Sequence, residues 1–151
     1  MIYTMISAII ASYKEPHTIS RAITSLASQL TKHDEIIVTA PDAETRNAAR
    51  NTRVSVPLKV ITDTGKGKPN ALNNALRYAK NDLLLLTDGD VHVDTHALSF
   101  LMKPMRSPDT GIVTGRVVSS NSKKTMLGFW AYALTEAFHQ LRTTQIKTIA
   151  T

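Results

Sequence analysis

The 151-residue sequence contains no cysteine. That excludes disulfides, thiolate metal sites and thiol nucleophiles, and it fits a reducing interior, so the cytoplasm is the expected compartment. No G-x-S-x-G elbow is present, which leaves acyl-transfer chemistry without support. There is no GxGxxG after the first apolar run, where a dinucleotide-binding domain would carry it, and no GxxxxGK[ST] loop of a P-loop NTPase. No apolar stretch approaches the roughly 20 residues needed to cross a bilayer. The apolar segment from Met1 to Ala11 has neither a basic flank nor a cleavage pattern. Internal repeats, low-complexity tracts and linker-like stretches are also missing, so one domain over residues 1–151 is expected.

What remains is a chain that can fold. With 42% apolar and 20% charged residues, the composition is that of a globular domain, and this length buries a core without a metal or disulfide staple. The net charge of +6 is open to nucleic acid, an anionic membrane or a phosphorylated substrate. Because the basic residues are scattered from Lys14 to Lys147, with no run that interleaves them with aromatics, nucleic acid is not an expected partner.

Short apolar runs at Met5 to Ala11, Glu35 to Thr39, Leu58 to Thr62, Asp82 to Thr87 and Gly111 to Ser119 predict five strands. Four of these are near-continuous rather than alternating, as parallel strands covered on both faces require, so the sheet should be mostly buried. Ile19, Ala22, Ile23, Leu26, Ala27 and Leu30 recur at helical spacing behind Pro16. Further helices are expected over Ala43 to Arg50, after Pro69, and from Thr95 towards Lys103. Strands alternating with helices predict a three-layer α/β/α, Rossmann-like domain on a mostly parallel sheet, with its chemistry at the carboxyl ends of the strands.

Three segments lie there. Ala11-Ser12-Tyr13-Lys14-Glu15-Pro16 offers a base-binding edge, or simply a turn with Ser12 and Glu15 capping. Asp63-Thr64-Gly65-Lys66-Gly67-Lys68-Pro69-Asn70 places two glycines and two lysines before a helix start, an anion-site pattern whose plainer alternative is a glycine-rich turn. Thr87-Asp88-Gly89-Asp90 follows the most hydrophobic strand, and two carboxylates one residue apart suit Mg²⁺ or Mn²⁺, which commonly join one or two carboxylates to substrate phosphates. The alternative there is an Asp-Gly turn. His92 is more ordinarily a packing residue than a ligand, and the other histidines show no metal-ligand spacing.

In this order the segments SAIIASYKEPHTISRAITSLASQL, DEIIV, GKGKPNALNNAL and NDLLLLTDGDVHVD resemble the N-terminal part of family 2 glycosyltransferases, which have the GT-A fold. The likeness covers nearly the whole chain. It implies that Ala11, Ser12, Tyr13 and Glu15, matching a P-x-Y-N-E motif apart from Ala11 and Lys14, lie beside the nucleotide base and ribose. It implies that Gly67, Lys68 and Asn73 belong to a G-K-x-x-A-L-N segment at the nucleotide sugar. Asp88 and Asp90 match the D-x-D motif, with Asp90 on the metal and Asp88 facing the ribose or the metal. Where family members have an Asp-Asp pair for the uracil ring, this chain keeps only Asp42. The resemblance thus implies a nucleotide-sugar donor, UDP-linked with GDP as the alternative, a Mn²⁺ or Mg²⁺ ion, and transfer to an acceptor hydroxyl.

Thr114-Gly115-Arg116 falls where such enzymes begin their acceptor side. Nothing after Arg116 matches the E-D or Q-x-x-R-W segments that carry and follow the catalytic base, so the base is expected beyond Thr151 and the domain is expected to be incomplete at its C-terminus. Glu136, the only carboxylate after Asp109, sits in a predicted helix. The alternative is a truncated, inactive nucleotide-sugar-binding protein. Finally, Met126, Leu127, Trp130, Ala133, Leu134, Ala137, Phe138 and Leu141 make an apolar stripe at helical spacing. Such a helix packs first of all on its own domain or on sequence beyond the chain, and second lies on a membrane surface, the latter implying the inner face of the cell membrane.

Overall fold

The computed structural model describes residues 5–149. It contains two compact units, one ending at Ser99 and one beginning at Phe100.

In the first unit, four of the apolar runs form β1 (Ile6–Ala11), β2 (Glu35–Ala40), β3 (Leu58–Thr62) and β4 (Leu83–Asp88). All pair in parallel, in the order β3-β2-β1-β4. The two central strands are buried at every position, which accounts for their near-continuous apolar sequence, broken only by Ser7, Glu35 and Thr39. Successive side chains point to opposite faces. On one face Ile9, Ile37 and Ile61 pack with Leu72 and Ala75 of α3 (Lys68–Leu76) and with Ala79 beyond it. The intervening residues Ala8, Ile10, Ile36 and Val38 are fully buried on the other face. That face is covered by α1 (Ile19–Ala27) and α2 (Ala43–Arg50), which pack on each other. This is the expected three-layer α/β/α arrangement.

The helices follow from their sequences. In α1, Ile19, Ala22, Ile23 and Leu26 fall on one stripe and all are buried, each large side chain contributing about 1.5–3 kcal/mol. Asp42 caps α2 by accepting the Thr45 N–H, and Pro69 occupies the first turn of α3, where its missing N–H costs nothing.

Two buried carboxylates lie at the amino ends of the strands. Glu35 accepts hydrogen bonds from the Ser7 hydroxyl at 2.7 Å and the Lys80 N–H at 2.7 Å, while Asp34 accepts from Ile6 N–H at 2.8 Å and Thr31 N–H at 2.7 Å. Fully engaged in this way, they tie the chain together at that edge.

Two expectations need correction. Residues 111–119 form no strand among the described residues, and Ile112, Val117 and Val118 are exposed. An extended segment becomes a strand only when another strand takes its N–H and C=O groups, and this one has none beside it. Nor is the whole sheet buried, because β4 lies at its edge and leaves Leu84 41% and Leu86 54% exposed. The register puts these leucines on the α3 face, level with Ser7 and Ile9, beyond the cover that α3 provides.

The boundary between the units falls within α4 (Ala97–Met102). The second unit continues through a 3₁₀ turn at Pro104–Arg106 and the irregular residues 111–119 into α5 (Met126–Ile149). Within it, Arg116 pairs with Glu136, and the Arg142 guanidinium donates to the Thr114 hydroxyl at 3.1 Å and the Gly115 carbonyl at 3.4 Å.

Candidate functional site

Parallel pairing brings the carboxyl ends of the strands level with one another. Ala11 stands opposite Thr39 on one side and Asp88 on the other, and Thr39 stands opposite Ile61. The loops that follow these residues therefore share one edge of the first unit, the edge where an open parallel sheet binds ligands.

The turn after β1 is held from several directions. Ser12 N–H donates to the Thr39 carbonyl at 3.0 Å, the Ser12 hydroxyl donates to Glu15, and Glu15 N–H donates to the Thr45 hydroxyl at 2.9 Å. Lys14 adopts a positive φ of 57°, and its N–H donates to Asp42 at 2.9 Å. Tyr13 is left 62% exposed beside the edge. Asp42 is both the cap of α2 and the clamp on this turn. Burial opposes its charge, but hydrogen bonds from Lys14 N–H, the Thr45 hydroxyl and Thr45 N–H outweigh that, holding its carboxyl below the ordinary aspartate range.

The turn after β4 packs directly on the turn after β1. Gly89 N–H donates to the Ala11 carbonyl at 3.2 Å, and Gly89 is buried. A Cβ there would overlap the Ser12 hydroxyl and the Glu15 carboxylate and would lie 2.7 Å from Ser12 Cβ. Glycine is thus required for the two turns to meet, with Asp88 and Asp90 flanking the contact. The chain beyond is anchored to α1, where Ser25 accepts the Val93 N–H at 3.1 Å and Gln29 bonds both Asp94 and Leu98.

The third segment joins through a lysine. Gly65 and Gly67 take positive φ values of 71° and 93°, turning the chain into α3 so that Lys68 opens the helix. Its ammonium pairs with the Asp88 carboxylate. The anion-type loop and the carboxylate turn are therefore one site, in which a half-exposed lysine offsets one of two neighbouring negative charges. Asn73 lies on α3, exposed and one turn further along. His92 is exposed just past the carboxylates.

Asp88 and Asp90 are the candidate holders of a divalent ion. Among the described residues no third acidic or histidine side chain completes a protein cage. The donor set of two carboxylates fits an ion of the Mg²⁺ kind, which keeps waters and takes its remaining oxygens from substrate phosphates.

Sequence reasoning gives no role to Asp63, Thr39 or Thr45. Asp63 is buried at the end of β3 with one carboxylate oxygen lacking a partner, and the Thr39 hydroxyl at the end of β2 also lacks one. Position immediately at a strand end was the available signal for both. A cavity of about 390 Å³ lined by residues including Arg50, Arg53, Val56 and Val60 lies against the connection from α2 to β3 and includes none of these site residues.

The family model described as Glycosyl transferase family 2 matches residues 7–146. The chain belongs to glycosyl transferase family 2. It is 35% identical to an N-acetylglucosaminyltransferase of Azorhizobium caulinodans over 45% of this chain and 17% of that protein. It is 27% identical to a poly-beta-1,6-N-acetyl-D-glucosamine synthase of Staphylococcus epidermidis over 82% of this chain, which spans 31% of that synthase. A solved structure of S. aureus TarS in complex with UDP superposes with a TM-score of 0.57, at 22% identity, over 78% of this chain and 43% of TarS. The shared architecture is the GT-A fold of family 2 glycosyltransferases, of which this chain spans a part.

Proposed function

We propose that the carboxyl edge of the sheet binds a nucleoside-diphosphate sugar in the service of glycosyl transfer to an acceptor hydroxyl. The observation that carries this reading is the convergence of the turn after β1, the Lys68 loop and the Asp88-Gly89-Asp90 turn on one edge. In this reading Tyr13 presents its exposed ring to the base, with Ala11, Ser12 and Glu15 shaping the turn behind it. Asp42 retains lone pairs for the base edge. The first turn of α3, with Gly67 and Lys68, meets the diphosphate through unpaired N–H groups and a positive charge, and Asn73 faces the sugar side. Asp88 and Asp90 would hold Mn²⁺ or Mg²⁺, which when bound supplies neutralisation of the diphosphate leaving group. UDP in the TarS structure supports a uridine nucleotide, with a guanosine nucleotide as the alternative.

The alternative is a nucleotide-sugar-binding role without transfer. Glu136, the only carboxylate after Asp109, is paired with Arg116, whose hydrogen bond holds its carboxyl below the ordinary range. Its carboxylate is engaged by Arg116 within the same unit.

Calorimetry tests the proposal. UDP or GDP binding is expected only with Mn²⁺ or Mg²⁺ present, and Asp90→Asn should remove most of that metal-linked affinity. Equal binding by both proteins in excess chelator would sink the assignment.

A further inference from the structure

Asp88 already has a cation. Lys68 opens α3, and its ammonium is paired with the Asp88 carboxylate, one of the two that suit an ion of the Mg²⁺ kind. Asp90, two residues on, is exposed. A carboxylate does not serve an ammonium and a divalent ion together at full strength, because two cations at contact distance repel each other. With Lys68 in this position the ion meets a weakened ligand set.

The lysine is held there lightly. The two side chains are 57% and 41% exposed, and an ion pair so open to water shifts an equilibrium by at most about fivefold. A flexible four-carbon stem lets the ammonium leave without moving the helix. The helix start also supplies a reason to leave. Pro69 brings no N–H, and Asn70 and Ala71 both donate theirs to the Gly67 carbonyl at 3.1 Å. An anion arriving at this N-terminus therefore finds fewer backbone donors than a helix ordinarily offers and draws on the lysine charge.

We propose that Lys68 is a placeholder for the divalent ion on Asp88, given up when a diphosphate draws the ammonium to itself, so that nucleotide and ion bind cooperatively through this one side chain. This rests on the reading of the sheet edge as a nucleotide site. The coupling is reciprocal, so UDP raises the affinity for the ion by the same factor by which the ion raises the affinity for UDP. Lys68 opposes the ion before the nucleotide arrives and assists the diphosphate afterwards. Its removal should therefore act in opposite directions on the two ligands.

Titration of the whole chain with Mn²⁺ alone, read by loss of the free-ion signal in electron paramagnetic resonance, tests this without any turnover. Lys68→Gln should bind Mn²⁺ about two- to fivefold more tightly than the native chain. Lys68→Arg keeps the pair and should stay near the native value. Lys66→Gln removes a charge of the same sign from the same loop and should gain less than half as much. Calorimetry with UDP should show the opposite sign: weaker binding by Lys68→Gln, and a smaller factor by which UDP and Mn²⁺ strengthen each other. If the native chain shows metal-linked UDP binding but Lys68→Gln takes up Mn²⁺ no more tightly than Lys66→Gln, the placeholder role is overturned and the nucleotide site stands. If the native chain binds UDP equally with Mn²⁺ and with chelator, the metal-linked site falls and the placeholder with it.

Discussion

Gly89 decides whether the two key turns can touch. Its missing side chain is the space occupied by Ser12 and Glu15, so Gly89→Ala must push the carboxylate turn off the turn after β1. Such overpacking costs about 1–3 kcal/mol, and denaturant unfolding should show that loss together with weakened nucleotide binding. Gly115→Ala is the control, because its nearest atom, in Leu101, is 3.9 Å away and the change should be close to neutral. At Asp42 the prediction concerns pH. Its folded-state pKa is lowered, so its contribution is present above the unfolded pKa and is lost as pH falls through the folded value. Melting temperature should therefore fall from about pH 6 to about pH 3 more steeply in the native protein than in Asp42→Asn. Asparagine has one acceptor oxygen in place of two and cannot serve Thr45 and Lys14 separately, so the variant should start lower at the higher pH.

The strands put their acidic residues to opposite uses at their two ends. At the amino edge Glu35 is buried and its oxygen takes the Ser7 hydroxyl and the Lys80 N–H. Glu35→Ala leaves that N–H without its carboxylate and should cost about 1–3 kcal/mol, read as a lower denaturation midpoint. At the carboxyl edge Asp90 is exposed and Asp88 is paired with Lys68 across solvent. Asp90→Ala should leave the midpoint unchanged or raise it slightly while removing metal-linked nucleotide affinity. A marked loss of stability in Asp90→Ala would show that this carboxylate is structural and would move the binding edge elsewhere.

For the whole chain, the proposed parts act on the donor and its leaving group. General base catalysis typically contributes about a hundredfold to ten-thousandfold, and the late carboxylate Glu136 is committed to Arg116. This 151-residue chain is therefore expected to bind donor without acceptor-dependent turnover above background. A donor-consumption assay with a panel of acceptors checks this, and robust turnover would mean that a carboxylate of the sheet edge serves as base. The chain spans less than a third of the Staphylococcus synthase, so an extended version is the natural comparison.

The order of the four strands and the helices between them was legible because it rests on local signals: the apolar runs, the stripe of Ile19, Ile23 and Leu26 and the proline after Lys68. So were the three segments at the strand ends and the family they resemble. Pairing was not legible, because hydrogen bonds between strands join residues far apart in sequence. Only the tertiary structure set Ala11 opposite Asp88, drew Lys68 to that carboxylate and made Gly89 the point of contact. It left residues 111–119 without a strand beside them, for a strand is defined by its neighbour and not by its own composition. It likewise left the Met126 to Leu141 stripe of α5 exposed among the described residues, because helical spacing records that a stripe exists and not what packs on it.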